Sequence, residues 1–143
     1  MAKSDSARSS RQSEPHQVRK EGKTTMAHPV VHWEIAGKDG KKLQNFYAKL
    51  FGWKVDANNP MNYGMVETGG QGGINGGIYQ VEDNKPSYLT FYVNVDNLQA
   101  YLDKAVSLGG KTVVPPTPIP DMGSFAMFTD PEGHLIGLFK EKG

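Results

Sequence analysis

From Pro29 to Ile35 the chain reads PVVHWEI, an alternating β-rich run. The alternation predicts a strand with Val31, Trp33 and Ile35 on one face and Val30, His32 and Glu34 on the other. Asp39 is placed to cap a helix. Leu43, Phe46, Tyr47, Leu50 and Phe51 then recur at helical spacing, and Gly52 stands where a helix is terminated by a left-handed residue. Short strands are expected at 53–56, 62–67 and 74–80, separated by Asn58-Asn59-Pro60 and by the stretch Gly69 to Gly73.

The pattern then begins again. Tyr88 to Val95 reads YLTFYVNV, with Leu89, Phe91, Val93 and Val95 on one face and Thr90, Tyr92 and Asn94 on the other. Asp96 and Gln99 suggest a capping box, and Leu98, Tyr101, Leu102, Ala105 and Leu108 form a second helical stripe closed by Gly109 and Gly110. Strands are expected at 111–114, 123–129 and 134–140. The prolines at 115, 116, 118 and 120 confine their stretch to an edge or a loop, and Asp130-Pro131-Glu132-Gly133 suits a type I turn. Gly52 and Gly110 are 58 residues apart, an offset that also carries His32 to Thr90 and Leu43 to Tyr101. Gly77-Ile78-Tyr79 likewise matches Gly137-Leu138-Phe139. The element order βαβββ therefore occurs twice. It predicts an α+β fold in which two βαβββ modules, about 28–82 and 86–141, form a curved eight-stranded mixed sheet around a cleft, with helices on the outer face.

Composition narrows the chemistry. With 16 Lys and Arg against 15 Asp and Glu, the net charge of +1 gives no case for nucleic acid or a polybasic membrane contact. No cysteine is present, which excludes disulfides, thiolate metal sites and a thiol nucleophile. No apolar run approaches the ~20 residues needed to span a bilayer. Residues 1–25 hold six of the basic and three of the acidic side chains, with almost no large apolar residue. Residues 1–27 accordingly read as a disordered extension, or an added leader before Met26, ahead of a domain at 28–143. The tail lacks the apolar region of a secretory signal, and a cytoplasmic location is expected.

PVVHWEI, NFYAKLFGWKV, YLTFYVNVDNLQAYLDKAVSLGGKTV and FAMFTDPEGHLIGLF resemble the glyoxalase/bleomycin-resistance/extradiol-dioxygenase superfamily, also called vicinal oxygen chelate proteins, over nearly all of 29–140. The resemblance implies paired βαβββ modules, a cleft and often a homodimer. It implies in the metal enzymes a divalent ion held by the first strands and by carboxylates of the last strands. His32 stands at the first of those positions, Thr90 at the second, and Gly77 and Gly137 at the carboxylate positions. One retained donor falls short of the three a catalytic metal usually takes. No metal or other cofactor is therefore expected, and His32 with Glu34 is the weak candidate pair, with Glu67 as a conceivable third ligand.

On alternation alone His32 and Glu34 share a strand face. His32 reads as a hydrogen-bonded pocket histidine ahead of a ligand, and Glu34 as a solvated or paired carboxylate ahead of a general base. Tyr79, Tyr92 and Phe139 fall on the cleft face, and Tyr63 and Phe128 are candidates to join them. Gly77 and Gly137 read as open space for a planar organic group. Trp33, Trp53, Phe46 and Phe51 read as helix–sheet core. The glycine-rich 69–73 segment fits no phosphate-loop pattern, Ser124 has no triad partners, and His16, His28 and His134 lack a supporting constellation. The leading expectation is a protein that binds a small organic molecule in a metal-free cleft through His32, Glu34, Gly77, Tyr79, Thr90, Tyr92, Gly137 and Phe139. The alternatives are a divalent-metal-dependent lyase, isomerase or dioxygenase of the same superfamily, and a dimeric interaction module. Retained metal, metal-free ligand or a partner bound elsewhere would separate the three.

Overall fold

The computed structural model describes residues 27–143, so the expected extension lies, but for Ala27, outside the described residues. The chain runs β1 (Val30–Gly37), α1 (Gly40–Phe51), β2 (Lys54–Asp56), β3 (Gly64–Glu67), β4 (Gly76–Gln80), β5 (Tyr88–Asn94), α2 (Leu98–Ser107), β6 (Lys111–Ile119), β7 (Gly123–Thr129) and β8 (Leu135–Glu141). The strands make one sheet in the order β2-β3-β4-β1-β5-β8-β7-β6. β1 pairs parallel with β4, and β5 parallel with β8. Every other neighbour, including the central β1–β5 pair, is antiparallel. This is the eight-stranded, mixed, curved α+β sheet that the repeat predicts.

Local chemistry sets the helix ends. Asp39 accepts a hydrogen bond from the Lys42 amide at 3.0 Å, and Gly52 closes α1 at φ 74°. The cap of α2 differs from expectation. Asn97, not Asp96, takes the extended cap position and accepts from the Ala100 amide, while Gln99 donates to Asp103 one turn on. The shift by one residue spends Asn97 on the free helix amide and leaves Asp96 exposed. The Asp130 turn forms as expected: the Gly133 amide donates to the Asp130 carbonyl, and the Asp130 side chain accepts from the Glu132 and His134 amides. β6 runs through the proline-rich stretch as far as Ile119, on the outer edge of the sheet, with its register shifted twice. Gly76, which beside Asn75 could have made a hairpin turn, begins β4 instead, as the repeat indicates.

Both helices lie on one face. Val95, Leu98, Leu102, Ala126 and Leu138 form the core under α2, with Val93, Tyr101 and Phe128 packed against it. Leu102 is 1% exposed, and a leucine buried so fully contributes about 1.5–3 kcal/mol. Phe128 is thereby corrected: it belongs to the helix-side core, one register step from the opposite-facing Met127. The expected core role of α1 is corrected too. Phe46, Leu50 and Phe51 are 55–58% exposed, because α1 packs chiefly on β4 and leaves half of its apolar stripe uncovered. Leu89 and Phe91, on the helix side of β5 between the two helices, are also exposed. Among the described residues no helix is long and apolar enough to cross a membrane.

Candidate functional site

The helix-free face of the sheet carries an unusual cluster. Register places three rows of side chains across its central strands: Tyr79, Ala36 and Tyr88; then Gly77, Glu34 and Thr90; then His32, Tyr92 and Gly137. Glu34 thus has only small neighbours in its own row. Aromatic rings from the adjacent rows close over it, and the Glu34 side chain is buried, at 5% exposure.

Three phenols satisfy that carboxylate. Tyr63 donates to Oε1 at 2.8 Å, and Tyr88 and Tyr92 donate to Oε2 at 2.5 and 3.0 Å. Each phenol has one proton to donate, and each of the three is spent on Glu34. The remaining contacts follow. His32 Nε2, 2.8 Å from the Tyr63 oxygen, carries the proton and donates to it. The Tyr79 hydroxyl, 2.6 Å from that of Tyr88, donates to Tyr88. Five side chains therefore direct their protons towards one buried carboxylate. Charge-assisted bonds of this kind offset the desolvation that burying an anion costs.

Tyr63 is delivered by a loop. Asn59 Oδ1 accepts from the Met61 and Tyr63 amides while its Nδ2 donates to the Tyr63 carbonyl, and Asn62 between them adopts φ 55°. This Asx-type turn fixes the tyrosine immediately before β3. Its ring then lies over Gly77, where an added Cβ would collide with it. The Tyr92 ring lies over Gly137 in the same way.

These positions correct several expectations. Gly77 and Gly137 do not open space for a ligand, because Tyr63 and Tyr92 fill it. Thr90 offers no hydroxyl to this face: its Oγ1 donates to the Leu135 carbonyl at 2.6 Å. Glu67 does not join His32 and Glu34; it is exposed on β3, and among the described residues no group of three His, Cys, Asp or Glu side chains is placed to hold a metal ion. With its bound Nε2 and tyrosine-saturated carboxylate, the donor set here does not fit a three-ligand metal centre. Tyr79 stands in the cluster as expected, and Phe139 lies half-buried on the same face, paired in register with Phe125. Tyr88 is the residue the sequence reading passed over. It stands two places before Thr90, so the alternation that faced Thr90 and Tyr92 inward carried its signal too.

The electrostatics follow from burial. His32 is held below the ordinary histidine range by burial, only partly opposed by Glu34, and is neutral at pH 7. Tyr63, Tyr88 and Tyr92 are pushed far above the ordinary phenol range, by burial first and then by the Glu34 charge and the hydrogen bonds to it. Tyr79 is raised by burial as well. The cluster is therefore a fixed set of neutral donors around one acid.

A family model described as the Glyoxalase/Bleomycin resistance protein/Dioxygenase superfamily matches residues 29–138. The putative glyoxylase CFP32 of Mycobacterium tuberculosis is 31% identical over 114 residues, which are 75% of this chain and 43% of that protein. A glyoxylase-like domain-containing protein of Didymella fabae is 31% identical over 126 residues, 80% of this chain and 98% of that protein. The chain thus spans less than half the length of the mycobacterial relative and nearly all of the fungal one. Methylmalonyl-CoA epimerase from Mycobacterium tuberculosis superimposes with a TM-score of 0.59 at 15% identity, covering 84% of this chain and 92% of that one. The Mn(II)-bound glyoxalase from Novosphingobium aromaticivorans does so at 0.55 and 16% identity, covering 80% of this chain and 38% of that one. At such identities the likeness is one of fold.

Proposed function

The chain belongs to the glyoxalase/bleomycin resistance protein/dioxygenase superfamily, and within that family we propose that it binds a small organic molecule on the helix-free face of its sheet without a resident metal. The observation that carries this reading is the saturation of Glu34 by Tyr63, Tyr88 and Tyr92. A carboxylate that accepts three phenol protons has little left to offer a cation in its coordination sphere. Gly77 and Gly137 bring no donor of their own. The half-buried rings of Tyr63, Tyr79, Tyr88 and Phe139 provide instead a floor on which a planar or apolar ligand can stack. Tyr79 and Phe139 keep their proposed contact role, Glu34 and Tyr92 become the buried support of that floor with half-buried His32 beside them, and Gly77, Thr90 and Gly137 are the small residues that make room for it.

The test is native mass spectrometry of gently purified protein, followed by titration after chelation. The proposal expects a retained or titratable organic ligand whose binding survives chelation. One stoichiometric divalent metal, lost in His32→Ala, would replace this reading with the metal-dependent lyase, isomerase or dioxygenase.

The partner proposed is a second copy of the chain. Leu89 and Phe91 lie exposed between the helices, and Phe46, Leu50 and Phe51 extend the apolar surface along α1. Two copies that pair through this surface cover it on both.

A further inference from the structure

We infer that the ligand taken on this face is an organic cation, a protonated or quaternary amine carried on a small apolar body. The inference rests on the small-molecule reading above and adds the sign of the ligand's charge.

The argument begins with an imbalance. Glu34 accepts hydrogen bonds from three hydroxyls, and every one of those donors is neutral. The ion pairs among the described residues are His134–Asp130 and Lys142–Asp121, both away from the cluster. His32, the basic side chain adjoining it, is kept neutral by its burial. The hydrogen bonds spread the charge of Glu34 without cancelling it. A negative centre therefore lies just beneath the exposed parts of the tyrosine rings, in surroundings that screen it poorly.

The rings add to the same sign. Tyr63 and Tyr79 lie 5.3 Å apart between centroids, and Tyr92 stands edge-on to His32 at 5.6 Å and to Phe125 at 6.4 Å. Aromatic faces are negative and attract ammonium groups. At the rim, register turns Lys54 and Lys111 to this face together with Asp56, Glu67 and Glu141, so the acidic groups there outnumber the basic ones by one. An anionic ligand would meet the charge of Glu34, which no cationic side chain pairs among the described residues. A neutral one would gain stacking alone.

The experiment titrates the full chain with benzyltrimethylammonium, with its neutral tert-butyl carbon isostere and with benzenesulfonate. Affinity is read by calorimetry and location by amide chemical shifts. The inference expects the cation to bind about tenfold more tightly than the isostere, a margin within reach of cation–π and partly buried Coulomb attraction. It expects the shifts on β1, β4 and β5 and no binding of the sulfonate. Glu34→Gln should bring cation and isostere close to equality. If that variant fails to fold, Tyr79→Leu, which removes a ring but no donor to Glu34, should weaken the cation more than the isostere. Equal affinity of cation and isostere, with shifts still on this face, would overturn the inference and leave the small-molecule reading standing. Binding of the sulfonate there would overturn it likewise. Absence of any binding at millimolar probe would overturn both.

Discussion

The Tyr63 ring occupies the space above Gly77 that a side chain there would need. Tyr63 stands in the loop just before β3, the strand beside Gly77's β4, and register sets Gly77 beside Glu34, so Gly77 is what allows the phenol to reach the carboxylate. Gly77→Ala should force Tyr63 off Glu34. Overpacking of this kind costs about 1–3 kcal/mol, and the loss of a donor to a buried charge adds to it. Gly137→Ala should act in parallel through Tyr92. Urea denaturation would check both, with the exposed, left-handed Gly69, replaced by Asn, as a control expected to move the midpoint little.

Removing single hydroxyls separates the donors from the rings. Tyr63→Phe and Tyr92→Phe each take one proton from Glu34 and should cost about 1–3 kcal/mol. Tyr63→Phe and Tyr88→Phe should cost more than Tyr92→Phe, since they also strand the His32 Nε2–H and the Tyr79 hydroxyl that donate to them. A double variant, Tyr63→Phe with Tyr92→Phe, should depart from additivity, because both phenols serve one acceptor. Equal, additive and small losses in denaturant midpoints would mean that water replaces the phenols at no cost.

Much of this arrangement is legible in the chain. The alternation in PVVHWEI and YLTFYVNV puts Glu34, His32, Thr90 and Tyr92 on one face, and the offset between Gly77 and Gly137 pairs the last strands of the halves. What fills the space beside those glycines is not legible. Tyr63 comes from a loop whose shape depends on Asn59 hydrogen bonds and on Asn62 in a left-handed conformation, and no periodicity reports either. Thr90 reads as a cleft hydroxyl until the neighbouring strand brings the Leu135 carbonyl within reach. The α1 stripe shows a similar limit. Its spacing announces an apolar face, but how much of that face the sheet covers depends on where β4 runs beneath it.

The titrating groups give stability a window with two edges. The folded form resists protonation of His32, while the unfolded chain takes that proton near pH 6.5, so stability should fall as pH drops through that value. The folded form also holds its protons on Tyr63, Tyr88 and Tyr92, while the unfolded chain releases them near pH 10, so stability should fall again as pH rises past 10. Ultraviolet absorbance of phenolate should show these tyrosines silent until the fold opens, then titrating together. A smooth titration of all six tyrosines at the ordinary value, with circular dichroism unchanged, would contradict the closed cluster.

The remaining apolar surface lies on the other side of the sheet. Leu89 is 71% exposed and Phe91 40%, and both sit on β5, which pairs with β1 at the centre of the sheet. Trp33 on β1 pairs in register with Phe91, and its ring continues through Trp53 to Phe51 and Tyr47 on α1. A surface of aromatic and aliphatic groups this continuous is a liability for a lone chain and an asset for a two-fold contact, where each residue meets its own counterpart region. Leu89→Asp should therefore shift light-scattering mass from two chains to one at micromolar concentration, because it sets a charge into the centre of the proposed contact. Phe51→Asp, farther along α1, should weaken the pair less. Neither change touches the Glu34 cluster, so ligand titration of the monomeric variant would also show whether the site needs its neighbour. A wild-type mass of one chain at high micromolar concentration would leave this surface without the partner proposed for it.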